Sequence, residues 1–325
     1  MSADSAAGPA EDRGVRMPPP APGAATPVMP GINDPAPQTP IEPVQLGLDD
    51  TFQFRCRKGI PCFNTCCHNA DIMLAPYDIV RLKNRLDVTA RAFIDSATTD
   101  YAMDAHGMPG LKLATRNDTG ACVFLTPEGC GVYEDRPSAC RYYALGLLSM
   151  RKKDAAREED TYFVVKEDHC LGHFEDQVQT VRQYRDGQGI DDYDRMNREW
   201  RQIVLKKRSA GPAIGSPSPR SLELFFLASY DMDGFRAFVS SAGFRELFDL
   251  GPDLESLLAD DEKLLGFAYR YLKQALFGEV TIPVKPQAAA QRSERYRSRL
   301  AAMAREAAAR REAAQDDMYS ERDDE

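Results

Sequence analysis

Eight cysteines are the residues of this 325-residue chain whose type and placement are best suited to chemistry. All of them lie between residues 56 and 170, and the apolar helical sequence that follows contains none. If cysteines served only as small core residues, some would be expected in those helices as well. Because thiolates are preferred ligands of soft metal ions and of iron–sulfur clusters, the clustering predicts a metal centre.

The first group of cysteines has the spacing C-x5-C-x3-C-C, within 12 residues that include Gly59 and Pro61. A chain bent by glycine and proline can bring four nearby thiols to one centre without long-range folding. Adjacent side chains usually diverge, so two neighbouring cysteines need not bind the same ion, and one of them is available to a second centre. The members of this group are Cys56, Cys62, Cys66 and Cys67.

The second group of cysteines is spread more widely, with 7, 9 and 29 residues between successive members. These intervals fit no standard zinc-finger pattern, so they indicate a metal site only in combination with the first group. The members of this group are Cys122, Cys130, Cys140 and Cys170.

Basic residues accompany both groups, which suits an anionic thiolate complex. Arg55, Arg57 and Lys58 flank the first group, and Arg136 and Arg141 lie in the second. Zinc and iron–sulfur centres both accept four thiolates. The sequence therefore predicts a zinc or iron ion, or an iron–sulfur cluster, without selecting among them.

Other roles remain open for individual residues near the cluster. An even number of cysteines also permits disulfides, although the N-terminus lacks the basic-then-apolar signal pattern of a secreted protein. Cys67 and Cys170 are the best candidates for inert buried thiols. His68, His169 and His173 lie close to cysteines and are candidate additional ligands, because imidazole is a common metal ligand.

The overall composition restricts the classes of partner. The formal net charge is −9, and 43% of the residues are hydrophobic. Non-specific binding to nucleic acid requires a positive field, so we expect no nucleic-acid partner. No apolar run reaches the roughly 18 residues of a membrane span, so we expect no membrane segment and a cytoplasmic protein.

The pattern of elements predicts an α+β fold with four regions. Residues 1–48 hold 11 of the 22 prolines and are expected to form a disordered tail. Residues 49–178 form a loop-rich cysteine domain, residues 179–284 a helical region, and residues 285–325 a charged Ala-rich tail. The tail contains a helix over about residues 291–315 whose thin apolar seam predicts either a solvated helix or contact with a protein partner.

Local signals place the individual elements. Pro76 begins a helix over 76–86, and Thr89 caps a helix over 90–97. Short strands are predicted over 111–114 and 161–165. In the second half we expect a linker over 206–219 and helices over 179–183, 193–205, 221–230, 234–242 and 253–277.

Several common catalytic motifs are absent from the sequence. It has no G-x-x-x-x-G-K-[ST] phosphate loop, no G-x-G-x-x-G motif and no G-x-S-x-G motif. Asp191, Asp192 and Asp194 are interpreted as the favourable start of a helix rather than as catalytic carboxylates. Whether the protein is an enzyme stays open.

The cysteine segment resembles the YkgJ-type cysteine-cluster family, described as a zinc- or iron-chelating domain. The resemblance covers about residues 52–175 and rests most strongly on Cys66-Cys67 and on Arg136-Pro137-x-x-Cys140-Arg141. It implies a metal centre. The first group also resembles the cysteine cluster of flagellin lysine-N-methylases, which implies a methyl-transfer activity.

The leading hypothesis is a metal-binding cysteine-cluster protein in which the eight thiolates have a structural or redox role. One alternative is an enzyme similar to protein lysine methyltransferases. Another is an interaction adaptor with a structural metal centre, whose C-terminal helix contacts the partner.

Overall fold

The computed structural model describes residues 41, 44–150, 159–209 and 217–320 of the chain. The disordered tail expected over residues 1–48 lies almost entirely outside this part. Within it, the backbone of Leu46 exchanges hydrogen bonds of 2.8 and 2.9 Å with that of Tyr162, so the chain just before residue 49 is already tied to the cysteine region.

The strands of the described residues form small antiparallel sheets. They pair as β1 with β9, as β2–β4–β3, as β5 with β6 and as β7 with β8. The strands are β1 (Thr51–Gln53), β2 (Met73–Leu74), β3 (Thr98–Ala102), β4 (Pro109–Leu113), β5 (Leu125–Thr126), β6 (Gly129–Cys130), β7 (Leu145–Met150), β8 (Glu159–Val164) and β9 (Val178–Thr180).

The helices concentrate after the last strand, which confirms the predicted α+β class with a helical second half. They are α1 (Pro76–Leu86), α2 (Ala90–Ala97), α3 (Ser138–Tyr142), α4 (Val181–Gln188), α5 (Ile190–Ser209), α6 (Pro219–Tyr230), α7 (Met232–Ser240), α8 (Ala242–Leu247), α9 (Leu254–Ala259), α10 (Asp261–Phe277) and α11 (Pro286–Ser320). Among the described residues, none of these helices is long and apolar enough to cross a membrane.

The local signals in the first half are confirmed. Helix α1 begins at Pro76, whose missing N–H costs nothing in the first turn of a helix. The hydroxyl of Thr89 accepts a hydrogen bond of 3.2 Å from the backbone N–H of Ala92 and caps α2. The strands predicted over 111–114 and 161–165 are present as β4 and β8, each with slightly different ends.

Three predictions in the second half are wrong in detail. The helix expected over 179–183 begins only at Val181, because residues before it extend as β9 and pair with β1. The linker expected from Lys206 begins later, because α5 continues to Ser209. The helix expected over 253–277 is interrupted at Asp260, whose carboxylate accepts hydrogen bonds from the backbone of Glu262 and Lys263 and caps α10.

The larger apolar core joins both halves of the chain. Leu82 and Phe93 from α1 and α2 pack in the same buried cluster as Phe225 and Leu264 from α6 and α10. Cys122 and Cys130 lie at its edge, partly buried. A smaller cluster contains Cys170 and side chains of β1, β8 and α4. The cysteine segment therefore contributes side chains to both apolar clusters, and the boundary expected at residues 178 and 179 stays a prediction.

Helix α11 contains the predicted 291–315 helix and extends beyond it at both ends. Its apolar seam is solvent-exposed, with Tyr296 at 64%, Leu300 at 48% and Met303 at 58% relative exposure. Contact between this seam and a protein partner stays a prediction.

Candidate metal centre

The segment that holds Cys170 packs directly on the first group of cysteines. The backbone N–H of Leu171 donates a hydrogen bond of 3.2 Å to the Cys62 sulfur. The backbone N–H of Arg55 donates one of 2.9 Å to the carbonyl oxygen of Gly172. A Cβ atom at residue 172 would lie 2.8 Å from the Phe54 ring and 2.9 Å from the Arg55 carbonyl oxygen, so this approach requires glycine.

The loop that holds Cys122 and Cys130 packs instead on Cys67. The backbone N–H of Cys122 donates a hydrogen bond of 2.8 Å to the carbonyl oxygen of Cys67. The β5–β6 hairpin places Cys130 opposite Leu125, whose N–H donates a bond of 3.0 Å to the carbonyl oxygen of Cys122. The hairpin therefore brings two cysteines of the second group beside one cysteine of the first.

Cys140 lies on the short helix α3, and a buried carboxylate anchors the start of that helix. Asp78 of α1 is fully buried and accepts hydrogen bonds from the N–H of Ser138 at 2.9 Å and from its hydroxyl at 3.0 Å. It also accepts a bond of 2.8 Å from the N–H of Ala75, at the start of its own helix. Burial raises the pKa of Asp78 to about 6. One carboxylate thus couples the position of Cys140 to the main core.

All eight cysteines are free thiols. Burial, together with the neighbouring thiols of Cys66, Cys170 and Cys62, raises the pKa of Cys56 to about 11. Burial and the thiols of Cys122 and Cys130 raise the pKa of Cys140 to about 12. Buried thiols that repel one another's charge remain protonated at neutral pH unless a cation stabilises the thiolates.

The adjacent cysteines have opposite acid–base behaviour. A hydrogen bond between their thiols raises the pKa of Cys66, with burial as the second cause. The same bond lowers the pKa of Cys67. Of these two neighbours, Cys67 therefore ionises more readily than Cys66.

No group of three or more His, Cys, Asp or Glu side chains in the described part of the chain is already arranged to hold a metal ion. The donor set nevertheless fits such an ion, because thiols from distant segments meet in one region and lack the competing disulfide bonds. A metal would have to draw these sulfur atoms together as it binds. Metal binding and local ordering would then be coupled.

One of the predicted basic neighbours acts on both parts of the cluster. Burial raises the pKa values of Cys56 and Cys130, and the guanidinium of the buried Arg136 offsets part of that rise in both. Its own position is held by a hydrogen bond of 2.6 Å to the carbonyl oxygen of Tyr133. Arg136 can therefore offset part of the negative charge of a thiolate complex.

The other predicted basic residues have different partners. Arg57 forms an ion pair of 2.7 Å with Glu175. Arg141 is buried and donates to backbone carbonyl oxygens, including one of Gln188 at 2.6 Å. Sequence reasoning missed Arg116, whose charge offsets part of the rise that burial causes in the pKa of Cys122. It also missed Asp78, since a single acidic residue in a first helical turn does not reveal a distant partner.

The three histidines near cysteines also have contacts of their own. The Nδ1 atom of His68 lies 3.4 Å from the carbonyl oxygen of Thr119. The Nε2 atom of His173 lies 3.0 Å from the carbonyl oxygen of Val165, and its ring packs on Phe54 with centroids 5.0 Å apart. His169 lies 3.6 Å from the Glu167 carboxylate. A role for these histidines as ligands stays a prediction.

Asp191, Asp192 and Asp194 lie at the start of α5, as interpreted from the sequence. Asp194 is buried and forms ion pairs of 2.9 Å with both Arg185 and Arg201. Burying a carboxylate between two arginines is a structural role, because each charge compensates the desolvation of the other.

Comparison with known proteins supports a metal-binding role for the cysteine segment. Searches among curated proteins and among solved structures gave no significant match to the chain. The resemblance to flagellin lysine-N-methylases therefore stays a prediction. Residues 55–171, which contain all eight cysteines, match the family CxxCxxCC, described as "Putative zinc- or iron-chelating domain".

Proposed function

We propose that the protein binds zinc or iron, as ions or in an iron–sulfur cluster, through the thiolates of its eight cysteines. The observation that carries the proposal is the convergence of distant segments on the first group. Residues 170–172 pack on Arg55 and Cys62, and the backbone N–H of Cys122 donates a hydrogen bond to the carbonyl oxygen of Cys67. Cysteines that served only as small core residues would not need to cluster, whereas here free thiols from four segments of the chain lie in one region.

The chemistry of the thiols supports the same proposal. Burial and mutual repulsion raise the pKa values of most of these thiols, so the cluster resists ionisation when no cation is present. A metal cation reverses that balance because it stabilises the thiolates directly. Arg136 and Arg116 add positive charge where Cys56, Cys130 and Cys122 would become anionic.

A zinc ion here would cross-link loops, whereas an iron–sulfur cluster would also carry electrons. The first role is structural and the second is redox. In either case the protein supplies thiolates, orients them through α3 and the β5–β6 hairpin, and partly shields them from water.

The test is to purify the full chain anaerobically and to measure zinc, iron and acid-labile sulfide per chain together with the visible spectrum. We expect zinc without colour, or iron with a visible absorption band, because zinc has a filled d shell. His106→Ala is the matched control, since His106 is exposed in a turn where its backbone N–H donates to Asp104, and its loss should leave the metal content unchanged. A chain without metal whose eight thiols all react as free groups would contradict the proposal.

A further inference from the structure

The adjacent residues Cys66 and Cys67 lie where two sets of packing contacts meet. Both belong to a 3₁₀ turn, Thr65–Cys67, entered from Asn64 in a left-handed conformation with φ of 72°. Successive residues of a 3₁₀ helix are about 120° apart around its axis, so their side chains leave in different directions. Their thiols remain close enough to interact.

On one side, Cys66 is grouped with Cys56, Cys62 and Cys170. The thiols of Cys66, Cys170 and Cys62 all raise the pKa of Cys56, and those of Cys62 and Cys66 raise the pKa of Cys170. Backbone hydrogen bonds support this grouping independently. The N–H of Leu171 donates to the Cys62 sulfur, and the N–H of Arg55 donates to the carbonyl oxygen of Gly172. We call these four residues the outer group.

On the other side, Cys67 is grouped with the remaining three cysteines. The thiols of Cys140, Cys122 and Cys130 raise the pKa of Cys67, and those of Cys122 and Cys130 raise the pKa of Cys140 more than the thiol of Cys66 does. Cys66 also raises the pKa of Cys130, so Cys66 lies at the border between the two groups. Backbone geometry again agrees. The backbone N–H of Cys122 donates a hydrogen bond to the carbonyl oxygen of Cys67, and the β5–β6 hairpin places Cys130 in the same loop as Cys122. We call Cys67, Cys122, Cys130 and Cys140 the inner group.

We propose that the cluster consists of two adjacent four-thiolate centres, one formed by the outer group and one by the inner group, with the Cys66–Cys67 peptide bond as their boundary. This inference rests on the proposed function and adds how many centres there are and which cysteines share each one. Each divalent ion replaces four thiol protons, which pass to solvent, and forms four metal–sulfur bonds. No electron transfer is required.

The arrangement explains two features that a single centre leaves unexplained. Eight thiolates exceed the four ligands of one zinc ion or one four-cysteine cluster. The charge of Arg136 favours the thiolate forms of Cys56 in the outer group and of Cys130 in the inner group. Arg136 can therefore offset part of the negative charge of both complexes. A split at the adjacent cysteines gives each centre four ligands.

The test uses Co²⁺ as the probe, because tetrahedral thiolate binding makes this ion strongly coloured. Reduced full-length protein is freed of metal, loaded with Co²⁺ and examined by its absorption spectrum and by native mass spectrometry. We expect two ions per chain. Cys56→Ser with Cys170→Ser should remove the outer ion alone, and Cys122→Ser with Cys140→Ser should remove the inner ion alone. Each double variant is the matched control of the other, since both remove two thiols.

The outcomes separate this inference from the proposed function. Absence of any Co²⁺ in the native sequence would overturn the two-centre arrangement, whereas the proposed function fails only if the anaerobically purified chain contains neither zinc nor iron. One ion per chain, or loss of all metal or of none in either double variant, would overturn the two-centre arrangement while leaving metal binding intact.

A second measurement on the native sequence does not depend on whether the variants fold. Metal-loaded protein is exposed to increasing chelator and alkylated, and each cysteine is located by peptide mass spectrometry. Labelling of the outer four and the inner four residues as two separate sets supports the proposal. Labelling of all eight together, or in sets that mix the groups, overturns it.

Discussion

The backbone N–H of Cys122 donates a hydrogen bond of 2.8 Å to the carbonyl oxygen of Cys67, residues that are far apart in the sequence. Beside it, His68 and Ala121 form an antiparallel bridge, so the contact involves the backbone on both sides. The bond therefore joins the second cysteine segment to the end of the first through main-chain groups, which do not depend on the identity of the side chain. Substitution of a cysteine by serine should leave it intact.

Gly172→Ala should separate Cys170 from Cys62. The added Cβ would lie 2.8 Å from the Phe54 ring and 2.9 Å from a backbone oxygen, and the backbone cannot easily move aside. We expect the free energy of unfolding to fall by about 1–3 kcal/mol, as for overpacking elsewhere, and the outer Co²⁺ ion to be lost. Denaturant unfolding and Co²⁺ titration measure the two effects.

The control for that substitution is Gly187→Ala, because Gly187 lies in α4 with nothing within 4 Å of an added Cβ. Alanine there should stabilise the helix by about 0.5–1 kcal/mol and leave both ions in place. Equal behaviour of the two variants would show that the close contact at Gly172 does not position Cys170.

Arg136→Met should weaken both centres, because the charge of Arg136 favours the thiolates of Cys56 and Cys130. Loss of a charged group beside metal ligands typically lowers metal affinity by about 10-fold or more. Arg57→Met is the matched control: Arg57 is next to Cys56 in the sequence but pairs with Glu175. Competition with a coloured chelator measures each affinity, and an equal loss in both variants would contradict the role given to Arg136.

Metal affinity should rise with pH across the neutral range. In the metal-free protein the pKa of Cys56 is raised to about 11 and that of Cys140 to about 12, so both thiols are protonated below those values. The complex holds thiolates, and binding therefore releases protons and becomes more favourable as the proton concentration falls. Co²⁺ titrations between about pH 6 and pH 8, in buffers of different ionisation enthalpy, count the protons released. An affinity independent of pH would argue against thiolate ligation.

Asp261→Asn should destabilise the contact between α1 and α10. Lys83 lies 2.7 Å from Asp261 and both side chains are largely buried, with exposures of 8% and 13%. Removing one partner leaves a buried charge, and because Asp233 stays 4.0 Å from Lys83 we expect a loss of about 2–3 kcal/mol, below the usual cost. Asp95→Asn is the control, since its pair with Arg91 is exposed and worth under about 1 kcal/mol.

The same ion pair sets a direction for pH dependence. Burial opposes ionisation of Asp261, but the hydrogen bonds and charges of Lys83 and Arg236 outweigh it and lower its pKa. The stability from this carboxylate is therefore present above about pH 4, the ordinary value, and is lost as the pH falls below it. Acid unfolding followed by circular dichroism should show less loss in Asp261→Asn than in the native sequence.

Elements with strong local signals could be predicted from the sequence. Pro76 and Thr89 fix the starts of α1 and α2 because a ring constraint and a hydroxyl cap act within one helical turn. The break at Asp260 escaped prediction although its cap is equally local, because the apolar pattern continues through this residue and favours one unbroken helix. Strand β9 escaped for a different reason: its hydrogen bonds go to β1, at the other end of the cysteine segment.

The sequence by itself determined the donor set, because side-chain chemistry and the confinement of all eight cysteines to residues 56–170 do not depend on how the chain folds. It also indicated that Cys66 and Cys67 need not act together. Only the tertiary structure decided which distant segments meet them: residues 170–172 pack on Arg55 and Cys62, and the hairpin segment bonds to Cys67. The physical reason is range. Capping and helix propensity act over a few residues, whereas these neighbours depend on main-chain hydrogen bonds and close glycine contacts made after folding.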